Sequence, residues 1–177
     1  MTHISRNYAA KLAIARELAS LGARAVTISS IAKTKPADSR AQYKLVRGVQ
    51  SQPGQTPTDH EWFLFNQVRR QHGALLLAMY ASYRAALDSS PDAHGLAVVI
   101  TYKMYIRLTL NKPIVSVERL NLLVGTGFNI GWRGILKGGS SKFSSDNVKV
   151  ALCKKCRVPH LVEAHYLNYI CPSHQNA

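Results

Sequence analysis

The amino-acid sequence predicts a mainly α-helical fold followed by a small C-terminal module of a different kind, and three observations carry the prediction. Apolar residues recur at three- and four-residue spacing through most of residues 6–124. Pro, Gly and Ser interrupt that pattern at intervals of about one helix. All three cysteines lie at the far end, between Cys153 and Cys171.

The elements follow in order. Residues 6–21 read as an amphipathic helix with Tyr8, Leu12, Ala15, Leu18 and Ala19 on one face. Gly22 ends it, being free to take the left-handed conformation wanted at a helix C-terminus. A short helix over 24–32 comes next, with Val26, Ile28 and Ile31 inward. Thr34-Lys35-Pro36 breaks the chain. Pro36 suits the first turn of a third helix that runs to about Val46, before Gly48. Residues 49–57 lack periodicity and form a loop.

Thr58 and Glu61 stand at capping-box spacing, so one long helix is expected from there to about Leu87. It carries Trp62, Phe63 and Phe65 near its start and Leu75, Leu76, Met79, Tyr80 and Tyr83 further on. Ser89-Ser90-Pro91 stops it. A helix from about Ala93 to Leu110 follows, with Leu96, Val99, Ile100, Met104 and Ile106 as its apolar set. After Lys112-Pro113, Ser116 is a good N-cap for a helix bearing Leu120, Leu123 and Val124. The helical pattern continues through Leu136, interrupted by Gly125, Gly127, Gly131 and Gly134. Residues 138–147 read as a flexible Gly/Ser linker. The division expected is a helical domain over 1–140, a linker over 141–147 and a module over 148–177.

Charge narrows the function. The 177-residue chain has 23 Lys and Arg against 9 acids, a net charge of +14. A protein with that excess is attracted to polyanions, nucleic acid above all. The excess sits at both ends, with balances of about +7 over 1–48 and +5 over 133–177, while the middle is nearly neutral. No apolar run is long enough for a signal peptide or a membrane span, so a cytoplasmic location without membrane contact is expected. Cysteines there stay reduced, and a cluster of them points to metal.

The cluster reads Cys153-x2-Cys156, fourteen residues, then Cys171-x2-His174. Two close pairs joined by a loop suit a tetrahedral zinc ion, each pair aiming two ligands inward from a tight turn. His160 and His165 also lie in the loop and are alternative candidates for the fourth ligand. Residues 157–170 are expected to form a hairpin, with Tyr166, Leu167, Tyr169 and Ile170 supplying strand character. Four protein ligands close the site, and a closed zinc site is structural. Zinc deaminases need a glutamate beside a ligand. Glu163 is the one acid of this module and stands beside none, so no enzyme is expected. The Gly125-Thr126-Gly127 run misses the spacing of a dinucleotide fingerprint.

The segment 24–47 has the proportions of a helix-turn-helix. Its second helix presents Arg40, Lys44 and Arg47, and Lys33 and Lys35 flank the turn. In the module, Lys149, Lys154, Lys155 and Arg157 make a second basic set. Both sets are candidate contacts to DNA phosphates or base edges.

Several residue runs carry a family resemblance. Leu21-Gly22-Ala23-Arg24-Ala25 with Ile28-Ser29, then Tyr43-Lys44 before Arg47-Gly48, then Pro53-Gly54 and Pro57 leading into Trp62-Phe63, resemble the FlhC family. The Ser116–Val124 helix and the terminal cysteine cluster come in the same order. That family is the zinc-binding subunit of the bacterial flagellar master activator, with relatives encoded on conjugative elements. The resemblance implies a transcription activator that assembles with a small helical FlhD-like partner, four partner chains to two of this chain. It also implies binding to double-stranded DNA and recruitment of RNA polymerase to flagellar or conjugative-transfer promoters. The family's zinc ligands carry over to Cys153, Cys156 and Cys171, with His174 at the position of a fourth cysteine. The alternative that charge alone favours is an RNA-binding or ribosome-associated zinc-ribbon protein.

Overall fold

The computed structural model describes residues 6–125, 131–137 and 147–175. The chain is mainly helical. Helices α1 (Arg6–Ser20), α2 (Ala25–Ala32) and α3 (Pro36–Arg47) pack on one another at the N-terminal end. A single 3₁₀ turn (Glu61–Leu64), α4 (Gln67–Ala86), α5 (Ala93–Leu108), α6 (Val117–Val124) and α7 (Gly131–Lys137) form the body. Strands β1 (Val148–Leu152) and β2 (Pro159–Glu163) and the short α8 (Pro172–Gln175) close the chain. No helix among the described residues is long and apolar enough to cross a membrane.

The three N-terminal helices are joined by apolar and polar contacts in different places. Ile14, Ala15, Leu18 and Ala19 of α1 and Ile28 and Ile31 of α2 are buried in the main core. Val26, expected inward, is 57% exposed; Ala25 and Thr27 are buried in its stead. Thr27 belongs inside because its hydroxyl donates to Glu118 of α6. The same carboxylate accepts the backbone N–H of Arg24 at 2.7 Å and pairs with the Arg24 guanidinium at 3.6 Å. Glu118, with the Ser51 hydroxyl that accepts the Ala25 N–H at 3.0 Å, thereby satisfies donors at the start of α2 from outside the helix. Helix α3 buries only Ser39, whose Oγ lies 2.7 Å from the Thr34 hydroxyl. Tyr8 of α1 donates to Asp38 and accepts from the Lys35 N–H, which fixes the start of α3.

The expected single helix from Thr58 to Leu87 is in fact two pieces. Asn66 takes an extended conformation, and its side chain accepts from the Arg69 N–H at 2.9 Å, so it caps α4 and breaks the chain before it. The turn ahead of it is stabilised by Asp59, which accepts from the Glu61 N–H, not by Thr58. Phe63 is fully buried against Gly73 of α4, where a Cβ would come within 3.0 Å of its ring. Helix α5 ends two residues before the expected Leu110, which takes a left-handed conformation with Asn111. Ile100, expected on the apolar face, is 36% exposed; Tyr102 and Tyr105 fill the core. Ser116 caps α6 as expected. The expected continuation to Leu136 is broken at Gly125, and α7 begins afresh at Gly131; residues 126–130 lie outside the described residues.

The expected linker lies outside the described residues except for Asn147. The hairpin beyond it is not an isolated module. Its register sets Val148 opposite Glu163, Val150 opposite Leu161 and Ala151 opposite His160. Opposed residues share a face, so the hairpin has two distinct sides. Val148, Val150 and Leu161 join the helical core. Ala151 and Val162 pack with Cys153, Tyr169 and Cys171 in a second small core. Arg70 of α4 clamps the hairpin further through Glu163, at 2.9 Å. The strands thus lie over 148–163, upstream of the expected hairpin over 157–170. Tyr166 and Leu167 fall in a loop, with Leu167 90% exposed.

Candidate metal centre and basic faces

The turn between β1 and β2 contains Cys153 and Cys156. The N–H of Arg157 donates to the Cys153 carbonyl at 2.9 Å, with Arg157 at a φ of +62°, and the N–H of Cys153 donates to the Val158 carbonyl. This tight turn aims both thiols to the same side. Cys171 and His174 approach from the other strand of chain. The N–H of Cys171 points at the Cys153 sulfur at 3.4 Å, and the His174 N–H donates to the Cys171 carbonyl at 2.8 Å. Pro172 opens the single turn α8 that carries His174.

The four ligand atoms lie within 4.8 Å of one another. The Cys156 and Cys171 sulfurs are 3.9 Å apart, and Nδ1 of His174 lies 3.1 Å from the Cys171 sulfur and 3.9 Å from that of Cys153. A tetrahedral ion with metal–sulfur bonds of about 2.3 Å requires sulfur–sulfur edges of about 3.8 Å and somewhat shorter sulfur–nitrogen edges. Two of these distances match such edges, and the whole set lies within about 1 Å of them, so small shifts bring the donors onto a common ion. Cys153, Cys156, Cys171 and His174 are positioned to bind a metal ion.

Electrostatics agree with that arrangement. Burial pushes the Cys153 thiol up, but N–H groups of Cys156, Cys171 and Lys155 aimed at it outweigh burial and bring it down to about 6. Burial and the neighbouring Cys153 and Cys156 push Cys171 up to about 11. One thiolate forms readily and the next is held back by its neighbours, a conflict that a bound cation relieves.

The two other candidate histidines are placed elsewhere. His165 stacks on Tyr166 with ring centroids 4.7 Å apart. His160 sits on β2, 7% exposed, against Tyr169 at 5.1 Å, and neither ring nitrogen has a hydrogen-bond partner. Burial pulls it down to about 4, so it is neutral packing for the second core.

The basic residues fall on two separate faces. Arg40, Lys44 and Arg47 are exposed on α3, with Lys33 and Lys35 exposed at the turn before it. Lys33 is the left-handed C-cap of α2 and Lys35 the N-cap of α3. Lys154, Lys155 and Arg157 are exposed on the metal turn, and Lys149 is half-buried on β1. Sequence reasoning did not find three members of this second face. Lys137 of α7 and the rings of Tyr166 and Tyr169 line the same pocket as Lys149, Lys154 and Arg157. Only the placement of α7 against β1 brings Lys137 there, and no local spacing signals it. A third surface group is a ladder of stacked rings and guanidinium groups. Arg69 lies 4.2 Å from the Trp62 ring and 4.8 Å from that of Phe65, and Arg119 lies 4.0 Å from Trp62.

No protein-family model matches the chain, and no curated protein matches it.

Proposed function

We propose that this chain is a DNA-binding subunit of a transcription activator, with one structural zinc ion at Cys153, Cys156, Cys171 and His174. The observation that carries the reading is the coupling between that cluster and the charge around it. Lys154 and Arg157 lie in or beside the turn whose backbone closes on Cys153, so a bound zinc fixes two cations in place. Zinc suits three sulfurs and one imidazole, and a site with four protein ligands serves structure rather than catalysis. In a lobe this small, metal binding supplies much of the folding free energy.

The second face supports the same reading. Helices α2 and α3, joined by the Lys33-Thr34-Lys35 turn, have the proportions of a helix-turn-helix whose second helix offers Arg40, Lys44 and Arg47. Cations on both faces neutralise phosphates and release counterions. A small helical FlhD-like partner would cover Phe65 and Val68, which are 77% and 52% exposed and three residues apart beside Trp62. The assembly of four partner chains with two of this chain, and its recruitment of RNA polymerase at flagellar or conjugative-transfer promoters, belong to this proposal.

The test is a titration of the zinc-loaded chain, with its co-expressed partner, against duplex DNA and single-stranded RNA over a range of salt. Tighter binding to duplex DNA with a steep salt dependence is the expected result. A preference for single-stranded RNA would overturn the proposal in favour of an RNA-binding zinc-ribbon protein.

A further inference from the structure

We infer that the pocket between α7 and the metal lobe takes one unpaired nucleotide of a nucleic-acid strand, its base against Tyr166 and its flanking phosphates on the surrounding cations. The inference rests on the nucleic-acid reading above and specifies how the metal lobe would engage its ligand. The pocket measures about 320 Å³. That is near the lower end of the roughly 300–1,000 Å³ of small-molecule sites. It suits a single nucleotide and not a helix of paired strands.

The number of cations sets it apart from the other clefts described. Lys137, Lys149, Lys154 and Arg157 line it together with Tyr166 and Tyr169, and among the described residues no carboxylate does. The cleft beside Trp62, by contrast, is lined by Asp59, Glu61 and Glu163. Four cations gathered in one cleft attract a polyanion and bind it at the phosphates. The rings supply what phosphates cannot. Tyr169 is 6% exposed and forms a fixed floor, and its carbonyl accepts the Lys154 N–H at 3.0 Å. Tyr166 stands edge-on to Tyr169 and is braced by His165, yet remains 42% exposed. A braced, exposed ring beside cations is the arrangement on which single bases stack. Bases inside a duplex have both faces covered by their neighbours, so only a base outside the stack can use it.

The experiment uses the zinc-loaded full chain and three DNA probes carrying 2-aminopurine: a perfect duplex, the same duplex with the 2-aminopurine as a single-base bulge, and the free single strand. The bulged duplex is expected to bind about tenfold more tightly than the perfect one, the size of one base–aromatic stack. Its fluorescence should be quenched on binding, and Tyr166→Ala should remove both the preference and the quenching while Tyr166→Phe keeps them. Equal affinity for bulged and perfect duplexes, or a preference that survives Tyr166→Ala, would overturn the inference and leave the DNA-binding reading standing. Binding to none of the probes would overturn both. A free mononucleotide that competes as well as the bulged strand would also overturn it, since the ligand would then be a small molecule and not a strand.

Discussion

Arg40, Lys44 and Arg47 stand on a twelve-residue helix, whereas Lys154 and Arg157 stand on a short turn around four residues positioned to bind a metal ion. The helix holds its shape through its own backbone and docks by Tyr43 and Val46 against the core and by polar contacts: Tyr8 to Asp38, Thr34 to Ser39, and Arg16 to Gln42 at 3.3 Å. The turn rests on three backbone hydrogen bonds, Cys153 to Val158, Arg157 to Cys153 and Lys154 to Tyr169. Its second core contains few large side chains, and its sulfurs and imidazole face one another without an apolar filling. Positive charge is therefore presented by two supports of unequal autonomy. One face should persist under any condition that keeps the helices packed. The other should exist only while the metal is held.

The largest effect that separates them is metal loss. Cys171→Ser, or a strong chelator, should abolish bound zinc by mass spectrometry and expose the Lys154–Arg157 turn to protease. The α1–α3 helices should keep their helical circular dichroism. A cut that appears first in α3 would break the comparison. The second effect is acid destabilisation of the helical body. Burial, with Lys33 and Arg84 nearby, holds His94 down to about 4. The unfolded chain regains the ordinary value near 6.5 and so takes up the proton first; stability present above that pH is lost as pH falls toward 4. The loss between pH 7 and pH 5 is roughly 2 kcal/mol. His94→Gln should flatten the pH dependence of the urea midpoint, measured in the Cys171→Ser background so that the metal lobe contributes nothing.

A smaller effect attends Glu118→Ala. It leaves the Arg24 N–H and the Thr27 hydroxyl without their acceptor, a cost of about 1–2 kcal/mol read from the urea midpoint. The α2–α3 segment should loosen while zinc content stays whole. The smallest effect is on the salt slope of DNA binding. Arg40→Ala and Lys154→Ala should each lower it by about one unit in zinc-loaded protein. After chelation only Arg40→Ala should still do so. If Lys154→Ala lowers the slope equally with and without zinc, the metal does not position that side chain.

The regularities that sequence reveals explain what was legible. Ligand spacing is local, so Cys153, Cys156, Cys171 and His174 stand together as their spacing suggests. Helices announced by Pro36, Ser116 and Gly48 begin or end where those residues dictate. Errors arise where a side chain answers to a distant partner. Thr27 turns inward, and Val26 outward, because Glu118 waits on a helix 91 residues away. Asn66 breaks a strongly helical run by capping it, an effect that apolar periodicity does not register. The hairpin lies upstream of where propensity points, because Tyr166 and Tyr169 look like strand residues but shape a pocket and the second core.

The hairpin has one more consequence, for how this sequence can drift. A strand at a protein surface usually has a tolerant side. Here every position of β2 from Pro159 to Val162 is buried, alternate residues answering to the helical core and to the metal lobe. No residue in that stretch is free to vary without disturbing one core or the other, and a single inserted residue would exchange the two sets. The exposed tip at Lys154 and Lys155 and the loop around Leu167 carry no such constraint. Neutral substitutions should gather there. A library selected only for folding should show β2 nearly frozen between two permissive flanks, with altered binding preferences arising from the flanks alone.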